Sequence, residues 1–267
     1  MEPKREMEDN LLNNMFGLDG KAALVTGAGS GLGEGIAKGL AQSGARVALV
    51  DIDLPGMNRV ASDIEACGGS VICLVCDVSK PEEVQQTVRR AISAMGRIDV
   101  LVNNAGIGRR SPAQEMTDEM WSTVLDVNLS GAFYFCREVG RHMIQRGQGG
   151  RIINMASIGG VVGVETGNAN YCASKGGIIS MTRCLAIEWA KYNILVNAIA
   201  PSHTRTPLIE NLMQEKPEIY QYFLNNIPLG RLGEIKDIVG PTIFLASNAA
   251  AFITGHVLLV DGGHTAK

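Results

Sequence analysis

The sequence is poor in aromatic residues, which make up 5% of its 267 positions, and its formal net charge is only −3. Few rings are available for bases to stack on, and no Lys/Arg run is long enough to track a phosphate backbone or an anionic lipid surface. Nucleic-acid and membrane-surface binding are therefore not expected. No apolar run reaches bilayer-spanning length, and no secretory leader is expected. The six cysteines, Cys67, Cys73, Cys76, Cys136, Cys172 and Cys184, lack the spacing of a disulfide framework or a metal site. Cys73 and Cys76 form a C-x-x-C pair inside a β-branched run, where residues three apart face opposite sides of a strand. The expectation is reduced thiols in a cytoplasmic protein with no metal.

Glycine is plentiful, at 32 residues, and 46% of the chain is hydrophobic. The length suits one large α/β domain, and the glycines suit many tight strand-to-helix turns. Residues 1–19 are polar and read as a flexible N-terminal arm, with residues 20–267 as the folded domain. Continuously apolar runs at Ala22–Thr26, Arg46–Val50, Val71–Cys76, Asp99–Val102, Arg151–Met155, Ile194–Ile199 and Val257–Val260 alternate with amphipathic segments. Such runs mark a parallel sheet covered on both faces, a doubly wound single domain of Rossmann type. One long helix is expected over Thr117–Arg146. A helical, lid-like segment is expected over Thr206–Asn226.

Gly27-Ala28-Gly29-Ser30-Gly31-Leu32-Gly33 falls between the first strand and its helix. Glycines there let the backbone approach a pyrophosphate, which then sits on the helix N-terminus. Asp51 ends the second strand, where a carboxylate accepts hydrogen bonds from the adenosine ribose hydroxyls and repels a 2′-phosphate. NAD is therefore expected over NADP, although Arg46 and Arg59 lie nearby in sequence. Tyr171 and Lys175, in Tyr171-Cys172-Ala173-Ser174-Lys175, stack on one helix face. A cationic amine beside a phenol favours the phenolate and makes a proton-transfer centre.

Together with Asn103-Asn104-Ala105-Gly106, Asp77-Val78, Asn128, Ser157 and Val260-Asp261-Gly262-Gly263, these motifs resemble the short-chain dehydrogenase/reductase family from about residue 18 to the C-terminus. The resemblance implies that Tyr171 is the acid-base and that Lys175 binds the nicotinamide ribose and lowers the tyrosine pKa. It also implies that Ser157 hydrogen-bonds the reacting oxygen and that Asn128 holds a water. Asp77 and Val78 would flank the adenine, and Asn104 the adenosine ribose. Pro201 and Thr206 would hold the carboxamide end of the nicotinamide. Ser202 departs from the family's usual Pro-Gly, and the interval from Ser157 to Tyr171 is one residue longer than the commonest spacing. A homotetramer is implied as well.

Arg109 and Arg110 follow the Asn103–Gly108 segment at the carboxyl end of a strand, where an arginine can take an acidic group or remain a solvated or subunit contact. The sequence around them, and Glu188–Ile194, resembles the sugar-acid branch of the family. His203 is a second candidate to contact a polyol or acid, or else a cap of the following turn. The expected activity is NAD-dependent interconversion of a secondary alcohol and a ketone on a sugar, sugar acid or polyol. The alternatives are a 3-oxoacyl thioester reductase, a hydroxysteroid dehydrogenase, or a nucleotide-binding sensor without turnover.

Overall fold

Seven short apolar runs pair into one all-parallel sheet, in the order β3-β2-β1-β4-β5-β6-β7. The strands are β1 (Ala22–Thr26), β2 (Arg46–Asp51), β3 (Val71–Val75), β4 (Val100–Asn103), β5 (Gly150–Met155), β6 (Ile194–Pro201) and β7 (Val257–Val260). The computed structural model describes residues 11–164, 167–215 and 218–267. Residues 1–10 of the expected arm, 165–166 of the loop before Tyr171 and 216–217 of the expected lid lie outside the described residues. Residues 11–16 are helical. Phe16 lies against Phe244, and Leu18 is buried.

The helices are α1 (Gly31–Gln42), α2 (Leu54–Ala66), α3 (Pro81–Met95), α4 (Asp118–Leu125), α5 (Gly131–Arg146), α6 (Ala169–Trp189), α7 (Pro207–Glu215), α8 (Glu218–Asn226) and α9 (Ile235–Ala246). Alternation along β1 shows how both sheet faces are covered. Ala22 and Leu24 join the core beneath α3, α5 and α6, with Phe135 and Trp189. Ala23 and Val25 join the opposite core beneath α1, α2 and α9, with Ile36, Met57 and Leu245. Cys76 belongs to the first core and Cys73 packs against the second, so the C-x-x-C pair is split across the sheet.

The expected long helix is not continuous α-helix: α4 and α5 are joined by a π-helical turn, Asp126–Ser130, which contains Asn128. Wider turns of this kind occur inside α-helices frequently at functional sites. The strand order reverses between β1 and β4, which opens a crevice at the carboxyl ends of those two strands. No helix among the described residues is long and apolar enough to cross a membrane.

Candidate active site

The crevice is built first by backbone. Thr26 Oγ1, at the end of β1, accepts hydrogen bonds from the Asn104 and Ala105 amides, each at 3.0 Å. The Asn104 side chain returns two bonds, to the Thr26 carbonyl at 3.0 Å and the Gly27 carbonyl at 3.1 Å. Gly27 adopts φ +65°, and a Cβ on it would stand 2.8 Å from Ala105 Cα. A Cβ on Gly33 would stand 1.9 Å from the Gly27 carbonyl oxygen. Only glycine permits this approach of helix start to turn.

These residues fit a dinucleotide. Ser30, the N-cap of α1, makes no side-chain capping bond, so first-turn N–H groups beside Gly31 and Leu32 remain for an anion. Asp51 stands beside the turn, its carboxylate accepting from Gly29 N at 2.9 Å and Asp53 N at 3.0 Å. Arg59 also approaches Gly29, but its guanidinium is held by both Glu34 oxygens, at 2.6 and 2.7 Å. That pairing drops the Glu34 pKa to about 2, chiefly through the Arg59 hydrogen bond. Arg46 instead binds the Met95 carbonyl at 2.6 Å, away from this turn. Asp77 folds its carboxylate onto Ser79, and Val78 packs where a Cβ on Gly131 would lie 2.9 Å away. Thr206 lies within 4.0 Å of the Gly31 position and caps the start of α7.

At the far end of the crevice, α6 presents Tyr171 and Lys175. Ser157 caps a short 3₁₀ turn after β5, its oxygen accepting from Gly159 N at 3.1 Å, and its hydroxyl faces the Tyr171 phenol closely enough to lower the phenol's pKa. The two hydroxyls therefore converge although they come from different elements. Lys175 is buried; its Nζ donates to the Met155 carbonyl at 2.6 Å and lies 5.7 Å from the Tyr171 ring centroid.

The electrostatics differ from the expected depression of the phenol by the amine. Burial pushes the Tyr171 pKa up, opposed by the Ser157 hydrogen bond and by the Arg110 charge. Burial also pulls the Lys175 pKa down to about 8. Desolvation disfavours each charged form separately, and the lysine is not a cause of the tyrosine shift produced by the chain's own groups.

Asn128 is fully buried, and both ends of its amide meet Ile107. Its Oδ1 accepts from Ile107 N at 2.7 Å, while its Nδ2 donates to Ile107 O at 2.9 Å and Ser174 Oγ at 3.1 Å. The side chain expected to hold a water thus clamps the loop after β4 to α6. Asn170 extends the clamp, donating to the Arg109 carbonyl at 3.1 Å, and Ser111 N donates to Gly167 O at 3.0 Å. Arg109 and Arg110 are exposed on this rim, and Arg110 is close enough to act on Tyr171.

His203 lies two residues after β6. Its ring lies flat on Phe223, with centroids 3.7 Å apart and planes at 18°, so it packs beneath α8.

Two supporting residues, Asn154 and Thr182, escaped the sequence reading. Asn103 donates to Asn154 Oδ1 at 2.8 Å, and Asn154 donates to Thr182 Oγ1 at 2.9 Å, tying β4, β5 and α6 together inside the core. Asn in an otherwise apolar strand was the available signal for Asn154. Nothing local marks Thr182. Among the described residues no cluster of three or more His, Cys, Asp or Glu is placed to hold a metal.

A family model described as enoyl-(acyl carrier protein) reductase matches residues 27–265. Galactitol 2-dehydrogenase (L-tagatose-forming) of Cereibacter sphaeroides is 40% identical over 94% of this chain and 97% of its own length. The 3-oxoacyl-acyl-carrier-protein reductase of Thermotoga maritima is 39% identical over 92% and 98%. A crystal structure of a gluconate 5-dehydrogenase from Burkholderia cenocepacia, in complex with NADP and tartrate, superposes with a TM-score of 0.91 at 35% identity, covering 96% of this chain and 99% of that one.

Proposed function

Because the chain belongs to the short-chain dehydrogenase/reductase family, we propose that it uses NAD to oxidise a secondary alcohol of a sugar acid or polyol, or to reduce the corresponding ketone. The protein is an oxidoreductase of CH–OH groups that works with a nicotinamide dinucleotide. Gly27, Ser30, Gly31, Leu32 and Gly33 would hold the pyrophosphate, Asp51 and Asn104 the adenosine ribose, and Asp77 and Val78 the adenine. Lys175 and Thr206 would hold the nicotinamide half. The chemistry this group supplies when bound is hydride exchange at the nicotinamide ring.

The chain's own residues manage the proton. Tyr171 Oη exchanges it with the substrate oxygen, and the Ser157 hydroxyl hydrogen-bonds the same oxygen. Lys175 adds positive charge near the ring, and Asn128 fixes the loop that walls the site. The observation that carries this reading is the convergence of Ser157 on Tyr171, with buried Lys175 behind and Arg110 on the rim.

NAD is supported by Asp51, whose carboxylate sits 3.1 Å from the Gly29 Cβ position, where a 2′-phosphate would meet like charge. The acidic-substrate reading is supported by exposed Arg109 and Arg110, and the polyol reading by the galactitol dehydrogenase likeness. A cytoplasmic homotetramer belongs to the same proposal. Exposed Phe133 on α5, Ile187 on α6 and Leu259 on β7 leave apolar surface for partner subunits.

The likeness to the Thermotoga reductase favours acyl thioester reduction as the second reading. A panel of polyols, sugar acids and acetoacetyl-CoA, assayed with both nicotinamide cofactors at the absorbance of the reduced ring, decides between them. Turnover of a polyol or sugar acid with NAD is expected. Turnover of acetoacetyl-CoA alone, with NADPH, would replace the proposal by the second reading.

A further inference from the structure

Ser202 stands immediately after β6, where the chain leaves the sheet for α7. Its amide donates to the Val260 carbonyl at 3.2 Å, continuing the β6–β7 pairing. Its Oγ lies 3.0 Å from His264 Nδ1. Glycine, usual in the family here, has no hydroxyl for such a bond. The His264 ring is also 5.8 Å from that of His203, which is stacked on Phe223.

Phe223 belongs to a small apolar cluster of its own, with Ile227 and Leu232 buried and Ile209, Met213 and Ile219 packed around them. The α7–α8 pair therefore has a core separate from those on the two sheet faces. Small separate cores open more readily than large continuous ones. The C-terminal residues touch the end of α8 and the segment after it repeatedly. Leu229 N donates to the Gly262 carbonyl at 3.1 Å, and Lys267 Nζ donates to the Asn225 carbonyl at 3.3 Å. Gly263 has φ +86°, and a Cβ there would stand 3.2 Å from Pro228 Cγ. The turn itself is tied by Asp261, whose carboxylate accepts from Gly263 N at 2.9 Å, Thr265 N at 2.9 Å and Thr265 Oγ1 at 2.6 Å.

We propose that the C-terminal turn of this chain is a strut that holds the α7–α8 pair and the Ser202–Thr206 segment over the crevice, with Ser202 and His264 as its positioning residues. The contact lies between two segments distant in sequence, and Thr206, four residues beyond Ser202, reaches the Gly31 turn. Loosening the strut would thus be felt as weaker dinucleotide binding; this consequence rests on the dinucleotide reading given above. Neither side chain touches the reacting atoms.

Amide hydrogen exchange on the whole protein tests the strut without any turnover assay, and NADH binding followed by nicotinamide fluorescence tests its consequence. Ser202→Ala and His264→Ala should each speed exchange within residues 203–230 and weaken NADH binding by about two- to tenfold, the size of one lost hydrogen bond. The double variant should fall short of the product of the two single effects, because the two substitutions share one contact. His264→Asn, which keeps an acceptor near the Nδ1 position, should restore most of the protection. In steady state the KM for the cofactor should rise in the same order while kcat stays nearly constant. Unchanged exchange in 203–230, effects that multiply in the double variant, or equal loss of protection across the β-sheet would each overturn the proposal. Should the substrate panel fail altogether, the exchange and NADH measurements still decide this point on their own.

Discussion

Lys175 donates its Nζ to the Met155 carbonyl oxygen at 2.6 Å, so among the described residues the hydrogen bond of this buried ammonium runs to the end of β5 and not to the phenol on its own helix. The amine is consequently poised by burial, which pulls its pKa from 10.5 to about 8. Unfolding takes up a proton between those two values, so the lysine's contribution to stability rises with pH through that window and its burial penalty is fully felt below it.

Lys175→Met removes this titration. Compared with the variant, the wild-type protein should gain stability as pH climbs from 8 to 10.5, by at most about 3 kcal/mol at 1.36 kcal/mol per pKa unit. Urea midpoints of the two proteins at several pH values measure it. A stability gap independent of pH would mean that the amine is not desolvated.

Tyr171→Phe keeps the ring and its packing but removes the acid-base. A loss of about 10²–10⁴ in kcat is expected, with NADH binding nearly unchanged and Tm within a few degrees. Normal turnover of the cognate substrate by this variant would remove Tyr171 from the mechanism.

Arg110→Gln separates two roles of one charge. Its positive charge lowers the Tyr171 pKa, so its loss should move the acidic limb of the oxidation rate to higher pH. If the substrate is a sugar acid, KM for it should also rise by about tenfold or more, the scale of a charge-assisted hydrogen bond, while neutral polyols are unaffected. An unchanged KM for every acid tested would exclude Arg110 from substrate binding.

Asp51→Ser removes the carboxylate beside the ribose position. The ratio of kcat/KM for NAD over NADP should fall by about tenfold or more, like-charge repulsion being worth several kcal/mol when desolvated. The comparison of initial rates with both cofactors checks it, and an unaltered ratio would place cofactor choice elsewhere.

Gly33→Ala would set a methyl group 1.9 Å from the Gly27 carbonyl oxygen and 2.6 Å from Asn104 Nδ2. Backbone must shift to admit it, at a cost of about 1–3 kcal/mol. Thermal unfolding and NADH titration should both show the loss. A variant with unaltered Tm and affinity would contradict the close approach of α1 to its turn.

Alternation, period and the order of motifs carried the doubly wound sheet, the glycine turn after β1, Asp51 at the end of β2 and the stacking of Tyr171 over Lys175. All of these follow from local geometry: residues four apart meet on a helix, and a strand's two faces alternate, wherever the chain goes next. Packing alone decided the rest. Ser157 reaches Tyr171 because β5 and α6 dock side by side, the π turn at Asn128 appears where the loop after β4 needs its clamp, and His203 turns to Phe223. The direction of the Tyr171 shift belongs here too. Desolvation depends on how much water every neighbouring segment excludes, and no spacing of letters along one helix contains that quantity.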